Sequence, residues 1–290
     1  SLAVPGHSLQ SLQSQQQQQQ PHATLVTPPS EAPTFLSLRP RTASSRTLAL
    51  ELHPQTTTLA ELRNGLNALS EPQQGRVVQD LFAVLLHQDG DGTRLLALLL
   101  QWLTEQARPA SQLHLFYQGN NNIERTSVLT NVSRVLATTT ATTTNEWTRW
   151  AQEGAAEVIR TLTAHEIMDP HLMQATTGDA DDTDSSPQSL LSLLAHVAQQ
   201  GASLPARVHA SIAIMNLSCG PANKARLAQC GPVLTAMKFL LYETPSAEDH
   251  EDTLRLKATT TLKNLSNLDT NDVALISFPG LVHALGQVIM

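Results

Sequence analysis

The chain has 290 residues, of which 41% are hydrophobic, 15% charged and 3% aromatic, enough apolar material for one large core or a stacked array and too much for a wholly disordered polymer. Eighteen Lys and Arg against twenty-five Asp and Glu give a formal net charge of -7, and no basic cluster or aromatic ladder is visible, so nucleic acid is not an expected partner. Cys219 and Cys230 have no second pair with which to build a zinc ribbon or a disulfide framework, which points to free thiols in a reducing compartment, cytoplasmic or nuclear.

Residues 1–47 are rich in Ser, Gln, Pro and Thr, with a glutamine run from Gln15 to Gln20 and a Pro28-Pro29 pair, and show no sustained helical or strand period. Such a segment reads as a disordered low-complexity tail. Its stretch SLRPRTASSR, residues 37–46, is Ser/Arg-rich and acid-poor like a transit peptide, which makes organellar import a lesser expectation. Farther on, no apolar run reaches the roughly 20 residues that cross a bilayer, and Leu95 to Leu103 is already broken by Gln101, so no membrane partner is expected.

From about Leu48 the apolar spacing turns helical. Leu59, Leu62, Leu66 and Leu69 fall at steps of three, four and three on one helical face. Val77, Val78, Leu81, Val84 and Leu85 repeat the pattern after Gly75, and Leu95, Leu96, Leu99, Leu100 and Leu103 repeat it after Asp89-Gly90-Asp91-Gly92. The alternation of half-buried strands is missing, so the predicted class is all-α, with residues 48–120 forming an N-terminal helical region or degenerate repeats.

Residues 121–290 carry an internal repeat. ASIAIMNLS (Ala210 to Ser218) and ATTTLKNLS (Ala258 to Ser266) place Asn216 and Asn264 48 residues apart, and the later Asn223 and Asn271 keep the same interval. Each pair leads to a Gly/Pro turn, at Cys230-Gly231-Pro232 and Phe278-Pro279-Gly280, and then to an apolar helix, Val233 to Leu241 and Leu281 to Ile289. A weaker copy is read at TSVLTNVS, Thr126 to Ser133, with Asn131 in the repeated position, Asn145 as the second Asn and Gly154 opening the next helix. Loop insertions are expected at 138–144, 175–187 and 243–252, the second Asp-rich and the third acidic. The helix SLLSLLAHVA after Pro187 fits as the second helix of the unit whose third is 205–218.

The string A-x-x-x-L-x-N-L-S, then Asn, then a Gly/Pro turn before L-V-x-x-L resembles the armadillo repeat, a unit of three helices and about 42 residues. The resemblance implies an armadillo-like α-α superhelix, a right-handed solenoid of three-helix repeats, each burying its Ala, Leu and Ile against the next. Third helices would run Pro205 to Ser218 and Thr253 to Ser266, and first helices Asn223 to Gln229 and Asn271 to Ser277. Ala210, Ile214 and Leu217, and likewise Ala258, Leu262 and Leu265, are the expected core stripe, with Gly231 and Gly280 giving backbone freedom at the turns. The resemblance further implies a protein or peptide ligand along the concave groove, touched by Asn131, Asn216 and Asn264; the alternative is that these Asn hold the turn at a helix end. Trp147 and Trp150 flank Arg149 and are either a peptide anchor or packing. Nuclear-import adaptors of this family carry Trp one turn before the Asn, where this chain has Ser127, Ile212 and Thr260.

Chemistry has no foothold by comparison. His165-Glu166 lacks a second His four residues on, where Asp169 stands, so His165, Asp169 and His171 offer at most a weak metal site around Pro170. Asp179 to Asp184 lacks the Gly and closing Glu of a calcium loop, and no nucleophile elbow, phosphate loop or dinucleotide fingerprint occurs. No cofactor and no metal are expected. The last helix, LVHALGQVIM, is apolar with no third helix after it, which predicts truncation there or an uncapped face for a partner or self-association. The expectation is a non-enzymatic interaction scaffold or adaptor; the alternatives are a cargo carrier of the nuclear-import type or an enzyme whose catalytic part lies outside this segment.

Overall fold

Periodic leucines and well-formed caps dictate most of the helices. The computed structural model describes residues 36–38, 50–53, 56–86, 91–117, 127–139, 146–177, 188–242 and 250–289. The glutamine run, Asn145, the Asp-rich segment and most of the acidic loop lie outside the described residues.

The expected all-α class is what these residues adopt. The exception is a short antiparallel ladder, β1 (Leu36–Leu38) beside β2 (Leu50–Leu52), with Leu36 opposite Leu52. Strands of three residues are too short for an apolar–polar–apolar alternation to stand out from Ser/Arg/Thr-rich surroundings, and β1 falls inside the segment read as tail.

Three helices follow: α1 (Leu59–Asn67), α2 (Glu71–Leu85) and α3 (Asp91–Ala107). Thr58 and Ser70 start the first two as capping boxes with Glu61 and Gln73, each satisfying amides that the helix leaves open. Next come α4 (His114–Tyr117), α5 (Val128–Thr139) and α6 (Glu146–Leu162). A single 3-10 turn leads into α7 (Asp169–Gln174), followed by α8 (Leu190–Gln200) and α9 (Leu204–Leu217). The last set is α10 (Pro221–Gln229), α11 (Gly231–Tyr242), α12 (His250–Ser266), α13 (Asp272–Ser277) and α14 (Leu281–Ile289).

Packing sorts these helices into two rows. In one, α3 packs on α6, α6 on α9, and α9 on α12. In the other, α2 packs on α5, α5 on α8, α8 on α11, and α11 on α14. Across the rows α2 meets α3, α5 meets α6, α8 meets α9 and α11 meets α12, while the short α4, α7, α10 and α13 each lead into the second row. The order short helix, second-row helix, first-row helix therefore recurs, and α1–α2–α3 follows it too.

Between the rows lies a continuous apolar core from Leu52 to Ala284. Ala210, Ile214 and Leu217, and Ala258, Leu262 and Leu265, are buried in it as their spacing predicts. Polar side chains fix the crossings: the buried Gln152 of α6 accepts from the Ala202 amide at 2.6 Å, and Ser203 donates to Glu153 at 3.1 Å, clamping the α8–α9 turn onto α6. The two turn glycines differ. Gly280 takes φ 75°, the left-handed region open to glycine, whereas Gly231 opens α11 without it and needs no such freedom. No helix among the described residues is long and apolar enough to cross a membrane.

Candidate functional site

The repeated string sits at the C-terminal ends of the first-row helices, where backbone carbonyls run out of partners. Thr163, Ser218 and Ser266 each turn their hydroxyl back onto the carbonyl three residues earlier, at Arg160, Met215 and Lys263. That bond leaves the hydroxyl oxygen free to accept. Asn216 donates its amide to Thr163 Oγ1 at 3.1 Å, and Asn264 donates to Ser218 Oγ at 2.9 Å and to Cys219 Sγ at 3.4 Å. Each Asn thus ties its own helix end to the equivalent end in the preceding unit.

Asn223 and Asn271 make a second tie. Asn223 donates to the Leu217 carbonyl at 3.2 Å and to Asp169 Oδ2 at 2.7 Å. Asn271 donates to the Leu265 carbonyl at 2.9 Å and to the Lys224 carbonyl at 3.2 Å. Both side chains are buried, and each adds a second donor to a helix-end carbonyl that already accepts a backbone amide, from Gly220 or Leu268, while reaching back to the previous short helix. Their interval of 48 residues was the signal in the sequence for this role. Burial pushes the Asp169 carboxyl above the usual carboxylate range, the hydrogen bond from Asn223 pulling the other way and the neighbouring Glu166 adding a little upward.

The upstream copy has a different register from the one its Asn suggests. Asn131 lies on α5, in the other row, and is only 4% exposed, so it does not share a face with the half-buried Asn216 and Asn264. Gly154 is interior to α6 rather than a helix opener; a Cβ there would come within 3.0 Å of Leu100 Cβ, so the glycine lets α6 approach α3 closely. The true counterpart of the repeat is Ala155 to Thr163, AAEVIRTLT, which puts Thr161 where Asn216 and Asn264 stand. Thr161 is too short to cross to the neighbouring unit and donates to its own Glu157 carbonyl at 2.9 Å. His165 bridges instead, its Nε2 lying 3.0 Å from the Ala107 carbonyl at the end of α3.

In this register the positions one turn before the Asn are Glu157, Ile212 and Thr260, and none is Trp. On α6, Trp150 is 47% exposed and shares a stripe with Glu157 and Thr161; the side chain of Trp147 lies outside the described residues. On α12, the exposed Leu256 shares a stripe with Thr260 and Asn264. The face formed by these stripes is mixed apolar and polar and includes the acidic Glu157, paired to Arg160 at 3.5 Å.

His165, Asp169 and His171 do not converge. His165 is held by α3, Asp169 by Asn223, and His171 is exposed; no group of three His, Cys, Asp or Glu among the described residues is placed to hold a metal ion. Cys219 is exposed, and the half-buried Cys230 thiol is pushed up by burial, the opposite of activation. His209, on α9 against α6, is held below the usual imidazole range chiefly by burial, with Glu157 pulling upward, Arg160 downward and Glu153 upward. Compared with protein-family models, curated proteins and solved structures, the chain matches none.

Proposed function

We propose that this chain is an armadillo-like helical repeat, a right-handed solenoid of three-helix units, that works without catalysis as a scaffold or adaptor for a segment of another protein. The observation that carries this reading is the doubled tie between successive units, Asn216 to Thr163 and Asn264 to Ser218, set on one row of helices at the interval of the repeat. Stacked units of this kind present a continuous surface along the row, and such surfaces bind extended chains. The ties favour the structural role of the two Asn, but an Asn side chain has two donors and two acceptor sites, so the amide bonds to the neighbouring turn, one from Asn216 and two from Asn264, leave acceptor capacity on Oδ1 for a ligand. Trp150 and Leu256, exposed on the same row, are the apolar anchors proposed for the bound segment.

The test is selection of binders to the full chain from a displayed library of random peptides. Selected peptides should bind with saturation and lose at least tenfold in affinity with Trp150→Ala or Leu256→Ala, neither of which should change helix content by circular dichroism. Enrichment of no peptide, or peptides indifferent to both substitutions, would overturn the proposal.

A further inference from the structure

An open cavity of about 170 Å³ lies between α2 and the start of α4, inside the stack rather than at either end of the chain. Pro72, Gly75 and the buried Leu115 give it an apolar lining, and Glu71, Arg76 and His114 a polar one. Gly75 is the residue that packing does not explain. It is interior to α2, where glycine costs stability relative to alanine. A Cβ there would come no closer than 3.8 Å to a side chain outside the helix, Leu115 Cδ1, which is ordinary contact. Gly154, by contrast, would meet Leu100 at 3.0 Å. What the missing side chain at position 75 provides is the space itself. The polar rim is unevenly satisfied. His114 Nε2 lies 3.2 Å from Glu71 Oε2, and its Nδ1 lies 3.0 Å from the Ser111 carbonyl, so the acidic side chain is engaged. The exposed Arg76 guanidinium has no hydrogen bond or ion pair among the described residues.

We propose that this cavity holds a carboxylate on a short apolar stem, its oxygens on the Arg76 guanidinium and its stem against Pro72, Gly75 and Leu115. The planar guanidinium fork matches a carboxylate, and a neutral group would leave that charge unanswered. A doubly charged phosphate suits the site less well, because a single guanidinium faces it and Glu71 stands on the same rim. Size sets the stem. Pockets for drug-sized ligands run to about 300–1,000 Å³, whereas a cavity of about 150 Å³ is filled by a benzene-sized molecule, so the stem has about three to five carbons. Two sources carry this chemistry, a free short-chain acid and a glutamate side chain of another protein. The cavity shares no residue with the face of Trp150 and Leu256 and stands whether or not that face binds a peptide.

The probes are pentanoate, N-acetylglutamate N-methylamide and, as the uncharged control, pentan-1-ol, each titrated into the full chain and followed by amide chemical shifts. At least one carboxylate should shift the amides of Gly75, Arg76 and Leu115 with saturation, at a half-point on the order of a millimolar for so few atoms. Pentan-1-ol should bind at least tenfold more weakly, and Arg76→Gln should weaken carboxylate binding at least tenfold, as loss of a charge-assisted bond requires. Gly75→Leu fills the cavity and should abolish the shifts. Gly75→Ala, which the 3.8 Å contact tolerates, should weaken binding severalfold while raising the melting temperature, so lost binding is not lost fold. Whichever carboxylate half-saturates at the lower concentration identifies the source, free acid or glutamate side chain, and either upholds the proposal. Three outcomes overturn it: neither carboxylate saturates, pentan-1-ol binds as tightly, or binding is indifferent to Arg76→Gln and to both Gly75 substitutions.

Discussion

The unit that closes with α6 and the unit that closes with α9, each taken with the short helix that follows it, solve one problem with different side chains. In the later unit, Asn216 and Asn223 reach back across the stack. In the earlier one, Thr161 and Met168 occupy those two positions, the threonine bonding within its own helix and the methionine buried without a polar partner to offer. The bridging work there passes to His165, on the Ala107 carbonyl. Yet the apolar stripe is the same in both, Ala155, Ile159 and Leu162 against Ala210, Ile214 and Leu217, all fully buried. Packing therefore supplies the stack, and the polar ties set its register.

If packing is common to both units, truncating it must cost the same in each. Leu162→Ala and Leu217→Ala should each destabilise by about 2–5 kcal/mol in urea unfolding, the range for fully buried leucines. A large difference between the two would break the equivalence of the helices. Asn223→Ala comes next. It strips a buried donor from the Leu217 carbonyl and leaves Asp169 without its partner, an expected loss of about 1–3 kcal/mol, with Asn271→Ala behaving alike.

Smaller effects sharpen the contrast between the ties. Asn264→Ala should cost about 0.5–1.5 kcal/mol, while Thr161→Ala, which breaks only a bond inside α6, should stay within about 0.5 kcal/mol in thermal unfolding. Titration separates two groups by sign. His209 is depressed below its unfolded value, so the unfolded chain binds more protons through that window; stability present above about pH 6.5 should fall as the pH drops toward the folded value, and His209→Gln should flatten the slope. Asp169 is raised, so its folded form holds the proton longer; stability should decline as pH rises from the ordinary carboxylate range through the folded value, and Asp169→Asn should remove that decline.

Much of the later half was legible in the residues. Leu281 to Ile289 is α14 as its spacing predicts, and Pro205 to Ser218 and Val233 to Leu241 fall within two residues of α9 and α11. The 48-residue interval carried that register because both copies keep the same Asn, hydroxyl and leucine positions. Upstream, TNVS in α5 imitates NLS closely enough to draw the register onto the wrong row, while the true copy, RTLT, has no Asn to announce it. What stays constant there is the hydroxyl at Thr163, Ser218 and Ser266, a weaker signal because Ser and Thr are common at helix ends. The partner of each tie is beyond sequence altogether, since Asn216 and Thr163 are brought together only when α9 packs on α6.

The most direct test of the inter-unit tie is a double-mutant cycle on Asn264 and Ser218, with Asn264→Ala, Ser218→Ala and the pair compared by urea unfolding of the full chain. A tie between stacked units predicts a coupling of about 0.5–1.5 kcal/mol between two residues far apart in the sequence. Additive losses, with no coupling, would contradict it and leave each side chain to its own helix end.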